Sequence, residues 1–414
     1  MKLSRREYLL GSAAALLPVG ATVAAAAEAS ADFDPSSPLP HRQAFFPFRE
    51  TYLNSASQHP LSRGARRAAD AYFDYKTFAE HSDYDIRGIR AQVLANFARL
   101  IGVSADELGF VPSTTAGENL LVRALGIPES GGRIVTDALH FFGSFPLYAE
   151  LAKQGMDVVT VRQRDGRIDM DEFAEAVTPG TRLVSVSSMS TFNGFEHDLA
   201  LVSEIAHRRG ALVYADIIHS AGSVPLDLGA SGVDFAACAS YKWLMADLGL
   251  AFVYVRKPRL GELRRPWYGY NQVAHMQSHV LPGDPPGDTV ADYELADDTM
   301  GYFGMGTMAN VVAAKLGHSL PYLLAVGIDR ITAYRRPLLS RLREALPELG
   351  YPCLTPAESR GPILAFAAPD ARQTIAPRLR AAGVTVTVLE HHFRVAPSVF
   401  NDLDDVERLI DALG

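Results

Sequence analysis

The sequence predicts an α/β protein: a large, mostly parallel sheet of the seven-stranded type, followed by a smaller α+β domain. From about residue 84, helix-like and strand-like segments alternate, which is typical of parallel strands covered by helices. Apolar strands end in polar residues, as ALVYAD does at 211–216. The chain also has 414 residues, enough for one large domain and a smaller one.

The predicted elements of the large domain follow in chain order. Helical spacing marks DYDIRGIRAQVLANFARLIG, which ends at Gly102, and STTAGENLLVRALG is a Ser/Thr-rich turn that opens the next helix. Further helices are predicted at 145–155, 169–177 and 198–210. Strands are predicted at 133–140, 157–162, 181–190, 211–216, 234–240 and 250–257.

The second half of the chain contains a predicted loop and the smaller domain. Residues 271–298 are rich in Pro, Gly, Asp and His and show no period, so we expect a long loop. A helix is expected around 309–327, and strands at 363–369 and 384–397 precede a last helix at 402–414. We therefore predict four parts, a signal segment, an amino-terminal arm that returns to the small domain, a large domain and a small domain, at residues 1–27, 28–60, 61–317 and 318–414.

The composition excludes several classes of protein. The chain is 48% hydrophobic and 21% charged, as globular proteins usually are. A net charge of −8, with no run of Lys or Arg in the mature part, argues against nucleic acid or an anionic membrane surface as a partner. Cys238 and Cys353 lie far apart and form no Cys/His cluster, so neither a zinc site nor a disulfide is expected. A small solute is the expected partner.

Residues 1–27 resemble a twin-arginine signal peptide. They contain Arg5 and Arg6, an apolar stretch of moderate hydrophobicity and an Ala-rich end. Pro18 and Gly20 interrupt the apolar stretch, which argues against a transmembrane anchor. No later segment is long enough to span a membrane. We therefore expect a periplasmic protein that is exported already folded, with any cofactor in place.

A set of polar residues points to one cofactor. Thr114 and Thr115 open a helix, where N–H groups and hydroxyls hold phosphate. Asp216 ends a strand, His219 follows three residues later and Lys242 follows after one more strand. Pyridoxal phosphate needs a lysine amine for a Schiff base and a carboxylate that keeps the pyridine nitrogen protonated. The pattern therefore predicts pyridoxal 5'-phosphate.

From about Tyr52 to the carboxyl terminus the sequence resembles the class V aminotransferase family of fold-type I pyridoxal-phosphate enzymes. The similarity is carried by YLNSASQHPLS, STTAGENL, DALHFFGSFP and, most specifically, YADIIHSAGSVPLDLGASGVDFAACASYKWL. The resemblance implies that Lys242 bonds to the cofactor, that Asp216 pairs with its pyridine nitrogen and that His140 stacks on its ring. It also implies the fold-type I transferase fold.

The resemblance extends to further positions. His219 is implied near the phenolic oxygen of the cofactor, Ser190 or Thr191 near the ring, and Tyr241 near the phosphate. The GMGT segment at 304–307 resembles the part of a partner subunit that reaches the phosphate, which implies a homodimer with shared active sites and a role for Thr307. The motif HHFRVAPSVFNDLDDV implies that Arg394 binds the substrate carboxylate.

The sequence departs from the family pattern at two places, and the first of them narrows the function. Cysteine desulfurases need a nucleophilic cysteine just before the arginine motif, where this chain has VTVLEHH, so desulfuration is not expected. The turn MADLG after Lys242 lacks the family's usual GPxG form.

The leading hypothesis is a periplasmic enzyme that acts on the amino group or Cα of an amino acid or small peptide. The isopenicillin N epimerase-like and aminotransferase-like members are closest in pattern, and the exported siderophore-maturation members share the signal. The alternatives are a kynureninase-like Cβ–Cγ lyase and a non-catalytic pyridoxal-binding protein.

Overall fold

The computed structural model of the protein describes residues 33–78, 84–304 and 306–414. The signal peptide predicted at 1–27, and the first residues of the predicted arm, lie outside the described residues. Where the chain is described, the architecture is the predicted fold-type I transferase fold, with a large α/β domain and a smaller α+β domain.

The strands of the described residues are numbered in chain order. They are β1 Thr51–Tyr52, β2 Leu108–Val111, β3 Arg133–Asp137, β4 Asp157–Val161, β5 Gln163–Arg164, β6 Arg167–Ile168, β7 Thr181–Ser187, β8 Leu212–Asp216, β9 Phe235–Ala239, β10 Ala251–Val255, β11 Val273–Ser278, β12 Ala291–Leu295, β13 Leu364–Ala367, β14 Val384–Thr385, β15 Thr387–Val388 and β16 His392–Val395.

The helices are numbered in the same way. They are α1 Arg63–Phe78, α2 Ile86–Ile101, α3 Thr114–Ala124, α4 Phe145–Lys153, α5 Met170–Ala176, α6 Leu199–His207, α7 Leu228–Ser231, α8 Thr299–Phe303, α9 Asn310–Val326, α10 Ile328–Glu348, α11 Ala371–Thr374, α12 Ala376–Ala381 and α13 Leu403–Leu413.

The large sheet has seven strands in the order β2-β10-β9-β8-β7-β3-β4. The pairs from β9 to β4 are parallel, and β10 runs antiparallel to both β9 and β2. The sheet is therefore mostly parallel, as the alternation of helices and strands predicts. Strand β2 was not predicted, because its four residues LGFV are too few to show a period.

Both faces of the large sheet are covered by helices. Along β8, Val213 and Ala215 pack in one apolar cluster with side chains of α2 and α6, whereas Tyr214 packs in another with side chains of α3 and α4. This alternation follows from the two-residue repeat of a strand.

Local signals set the helix ends. The Asp85 side chain accepts the N–H of Gly88 at the start of α2, and Gly102 ends α2 in the left-handed conformation with φ +71°.

The prediction of a long loop at 271–298 is wrong. Strands β11 and β12 pair antiparallel there, with Ser278 opposite Ala291. The segment between the strands contains Pro282, Gly283, Pro285, Pro286 and Gly287, and this composition hid two short flanking strands whose side chains are mostly exposed.

The smaller domain contains the sheet β13-β16-β15 with α10 and α13 packed together beside it. The amino-terminal arm joins it, because β1 pairs in parallel with β14 and places Thr51 opposite Val384. The boundary predicted at residue 318 falls inside α9, which packs on α1 and α2. The chain changes its packing partners at Gly327, which connects α9 to α10.

Helix length and hydropathy bear on membrane insertion. In the parts of the chain that the structure describes, no single helix combines the length and apolar character of a membrane span, although α9 and α10, bent by 75°, meet that test as a pair.

Candidate active site

Polar side chains collect where the parallel strands of the large sheet end. His140 follows β3, Thr191 follows β7, Asp216 ends β8 and Lys242 follows β9. His219 lies in the turn after β8. Ligands of open α/β sheets bind outside the carboxyl ends of the strands. The fold therefore brings these five sequence-predicted residues to one edge of the sheet.

Lys242 is buried at the centre of this edge. Only 6% of the residue is exposed, and its Nζ lies 3.0 Å from Nε2 of His219 and 5.7 Å from the ring centre of Tyr241. Burial lowers the pKa of Lys242 to about 8, although the Asp216 carboxylate favours the charged ammonium. A lysine of this kind is partly neutral near physiological pH and can act as a nucleophile or a base.

Asp216 supplies a buried carboxylate beside this amine. Burial raises the pKa of Asp216 to about 6, while the N–H donated by Ile218 at 2.9 Å and the charges of His140 and Lys242 act in the opposite direction. Because the hydrogen bond and the neighbouring charges do not fully offset its loss of solvation, this carboxylate favours binding of a cationic N–H group.

Trp243, which the sequence pattern did not single out, orients His219. The indole Nε1–H of Trp243 donates to Nδ1 of His219 over 3.4 Å. Burial, together with the charge on Lys242, lowers the pKa of His219 well below its usual range, so this imidazole is neutral. Because Nδ1 accepts from Trp243, the ring hydrogen is on Nε2, where the neutral form of the Lys242 amine accepts it.

Glu118 was also missed, and it contacts His140. His140 is fully buried, with Nε2 3.1 Å from Oε1 of Glu118 and Nδ1 2.8 Å from Oγ of Ser187. Burial alone would lower the pKa of His140, but the charge and the hydrogen bond of Glu118 raise it overall. Glu118 lies four residues after Thr114, on the same buried side of α3, and this spacing was the available signal.

The amino terminus of α3 contains the predicted phosphate loop. Ser113 caps the helix by accepting the N–H of Ala116 at 3.1 Å. Thr114 is buried, and its Oγ1 accepts the N–H of Ala239 at the end of β9, which ties the loop to the strand before Lys242. Thr115 is exposed. The first N–H groups of a helix have no partner within the helix, so they are available to an anion.

Arg394 on β16 reaches the same edge from the smaller domain. Its Nη1 donates to Oγ1 of Thr191 over 2.7 Å, and its Nη2 donates to Oγ1 of Thr387 over 3.3 Å. Its Nε is buried without a hydrogen-bond acceptor. Thr387 in turn donates to Oδ1 of Asn54 over 2.5 Å. The predicted residues Arg394 and Thr191 therefore contact each other directly, although they are far apart in the sequence.

Tyr241 and Thr307 occupy less central positions. Tyr241 is half-buried, and its carbonyl accepts the N–H of His59 at 3.0 Å, which joins the arm to the site. Thr307 is exposed at the turn before α9. Ser190, the alternative to Thr191, is buried and accepts the N–H of Phe192.

These residues fit pyridoxal phosphate. The phosphate would meet the free N–H groups and hydroxyls at the start of α3, and Asp216 offers a buried carboxylate for the pyridine N–H. Lys242 offers an amine for the aldehyde. His219 presents an N–H at the position implied for the phenolic oxygen. When bound, the cofactor withdraws electrons from the substrate Cα.

Comparison with known proteins identifies relatives of the chain. Residues 68–393 match the family model described as "Aminotransferase class-V". A probable cysteine desulfurase of Methanothermobacter thermautotrophicus is 27% identical over 322 residues, which cover 76% of this chain and 77% of the relative. An uncharacterized aminotransferase of Bacillus subtilis, YcbU, is 24% identical over 383 residues, which cover 91% of this chain and 97% of the relative.

A solved structure shows the same fold. C-DES, a cystine C–S lyase, has been solved with glycine covalently linked to its PLP cofactor. That chain superposes with a TM-score of 0.78 at 20% identity, over 91% of this chain and 99% of the other.

Proposed function

The chain belongs to the class V aminotransferase family of pyridoxal-phosphate enzymes, and from this premise we propose that it acts at the amino group or Cα of an amino acid or small peptide. We further propose that the reaction is a transamination or an epimerisation. Cysteine desulfurases and aminotransferases both occur among the relatives, so the site itself has to distinguish the reactions.

One observation carries the proposal: the arginine from the smaller domain reaches the sheet edge that holds the buried lysine, where it donates to Thr191 after β7. Arg394 is close enough to Lys242 that its charge lowers the pKa of the amine. Arginine binds a carboxylate through two parallel N–H groups. A substrate carboxylate on Arg394 would place the α-amino group and Cα of an amino acid toward Lys242.

Three residues of this site have different roles in the proposed transfer of a proton at Cα. Lys242 Nζ, a buried amine with a lowered pKa, accepts the proton from Cα or returns it. The Asp216 carboxylate would stabilise positive charge on the pyridine nitrogen of a bound cofactor. Trp243 occupies Nδ1 of His219, so the hydrogen on Nε2 faces Lys242 and would serve an oxygen acceptor of a bound cofactor once Lys242 has reacted.

Neither cysteine of the chain lies in the segment just before Arg394, where desulfuration needs one. Cys238 lies in β9 with 1% of the residue exposed, and burial raises the pKa of its thiol well above the usual range, which disfavours the reactive thiolate. Cys353 contacts Arg343 and the carbonyl of Thr355 in the smaller domain. The segment before Arg394 has no cysteine.

The substrate class and the compartment are parts of the same proposal. We propose a periplasmic enzyme for peptide substrates such as the glutamyl side groups of siderophores, because Arg5 and Arg6 begin a twin-arginine-like signal. Replacing both arginines with lysine should retain the protein in the cytoplasm. Unchanged delivery of that double variant to the periplasm would reject the signal.

Product analysis tests the reaction class. The purified holoenzyme is incubated with amino acids, glutamyl peptides, kynurenine and cysteine, and the products are identified by mass spectrometry and chiral chromatography. A keto or aldehyde product indicates transamination and an inverted centre indicates epimerisation. Alanine released from kynurenine would instead establish the lyase, and sulfur released from cysteine at a comparable rate would reject the proposal.

A further inference from the structure

A buried polar cluster lies behind His140, on the side of Glu118. The carboxylate of Glu118 is 2% exposed and has four hydrogen-bond partners. Its Oε1 accepts from Tyr148 at 2.6 Å, from Ser185 at 3.2 Å and from His140 at 3.1 Å, and its Oε2 accepts from Ser144 at 2.5 Å.

The hydrogen-bond partners of His140 determine that Nε2 is protonated. Burial would raise the pKa of Glu118, but the charge of His140 and the hydrogen bonds from its neighbours lower it overall, so the carboxylate is ionised. An ionised carboxylate only accepts hydrogen bonds, so Nε2 of His140 carries a hydrogen toward Glu118. At Nδ1, the Oγ of Ser187 also accepts the N–H of Phe141 at 3.1 Å. The Ser187 hydroxyl retains both a hydrogen and a lone pair. It can therefore pair with Nδ1 whether that nitrogen is protonated or not, and the surrounding charges decide between the two forms.

Three carboxylates lie around His140. Glu118 faces it from α3, Asp137 from the end of β3 and Asp216 from β8, and each favours the protonated ring. Tyr148 faces it from α4 and stays neutral, because burial raises the pKa of its hydroxyl well above the usual range. Of the three carboxylates, Glu118 makes the direct contact, whereas Asp137 contacts His197 at 3.1 Å.

We propose that Glu118 is a positioning residue that keeps His140 doubly protonated and fixes its ring where the cofactor binds. The inference rests on the proposed function, because His140 is placed at the cofactor ring by family resemblance. Glu118 acts only through His140. Its carboxylate supplies the negative charge, and Ser144 and Tyr148 hold that carboxylate in place from α4 and the turn before it.

Nuclear magnetic resonance of ¹⁵N-labelled histidine tests this proposal in the cofactor-free protein and in the holoenzyme. A His140→Gln variant identifies the His140 signals, and both ring nitrogens are followed from pH 5 to pH 10. We expect wild-type His140 to be charged at pH 7. In Glu118→Gln, which keeps the size and an oxygen acceptor, its titration midpoint should fall by about one to three pH units.

Ser144→Ala is the matched control, because it removes one hydrogen bond from the same carboxylate and leaves the charge. Its midpoint should move much less than that of Glu118→Gln. A neutral His140 at pH 7 in wild-type protein would overturn the proposal even if Glu118→Gln does not fold, and so would equal midpoints in wild type and Glu118→Gln. The measurement needs no turnover, so its outcome is separate from that of the reaction assays.

Discussion

At the scale of single residues, the buried pair of Lys242 and Asp216 sets the electrostatics of the site. Burial raises the pKa of the carboxylate to about 6 and lowers the pKa of the amine to about 8. Each group partly offsets the desolvation of the other, because opposite charges stabilise one another in a poorly solvated site. The amine is consequently prepared to react at a pH where an exposed lysine remains charged.

The rate of covalent capture of pyridoxal phosphate should report this pKa. The neutral amine is the reacting form, so capture by the cofactor-free protein should accelerate as the pH rises through about 8 and then level off. In Asp216→Asn the midpoint should lie lower, because the carboxylate that favours the ammonium is gone. Absorbance measures the rate, and borohydride reduction with peptide mapping locates the bond. A midpoint near the ordinary lysine value, or a label on any lysine other than Lys242, would reject the assignment.

Asp216→Asn should also slow catalysis while leaving the cofactor bound. The asparagine keeps an oxygen for the N–H of Ile218, so the turn should persist, but the positive charge near the pyridine nitrogen loses its partner. We expect proton removal from Cα to slow by at least about 100-fold. A variant that turns over at the wild-type rate would contradict the role of the β8 carboxylate.

Single residues also show what the sequence could reveal. Lys242, Asp216 and His219 follow strand-like segments at readable spacings, so their common location could be predicted. Thr387 and Asn54, which extend the contacts of Arg394, are 333 positions apart, and no local pattern links them. Trp243 directly follows the lysine in the sequence, but its donation to His219 depends on side-chain directions that only the fold determines.

At the scale of elements, the turns after β8 and β9 pack against each other and hold the lysine. Gly222 has φ +82°, and a Cβ built on it would lie 2.8 Å from the carbonyl oxygen of Trp243. The peptide between Trp243 and Leu244, one residue beyond Lys242, therefore depends on the absence of a side chain at Gly222.

Gly222→Ala should destabilise the protein and weaken cofactor binding. Gly210→Ala is the matched control, since Gly210 has φ +75° but a Cβ added there would have no heavy atom within 4 Å. Both variants should lose about 1–2 kcal/mol from left-handed strain. Gly222→Ala should lose about 1–3 kcal/mol more from the clash. Denaturant unfolding and cofactor titration measure both effects, and equal losses of stability and affinity would contradict the account.

Elements also mark where sequence patterns stop being informative. Helix α2 could be predicted from the sequence, because its amphipathic repeat ends at a glycine. The hairpin of β11 and β12 was not, since its strands have exposed faces and enclose a segment rich in Pro and Gly. The two strands are stabilised by pairing with each other, and the periodicity of one segment alone does not reveal that pairing.

At the scale of the whole molecule, we propose a homodimer in which Thr307 reaches the active site of the partner. The exposed position of Thr307 is compatible with such a contact. Mixing inactive Lys242→Ala protein with an inactive Thr307→Ala variant should restore part of the activity, because one site in each mixed dimer has both intact residues. Only monomer in sedimentation at micromolar concentration, or no recovery from dimers shown to exchange subunits, would exclude shared sites.

The central claim is that Lys242 moves a proton at the Cα of a carboxylate-bearing substrate, and exchange with solvent deuterium tests it most directly. Amino acids and glutamyl peptides are incubated in deuterium oxide with wild-type holoenzyme or with Lys242→Ala, and the Cα signal is followed by proton magnetic resonance. We predict exchange with wild type and its loss in Lys242→Ala, which should still bind substrate with a spectral change. Equal exchange in both proteins would contradict the role of Lys242. The absence of exchange, product and spectral change across a broad panel would instead favour a non-catalytic pyridoxal-binding protein.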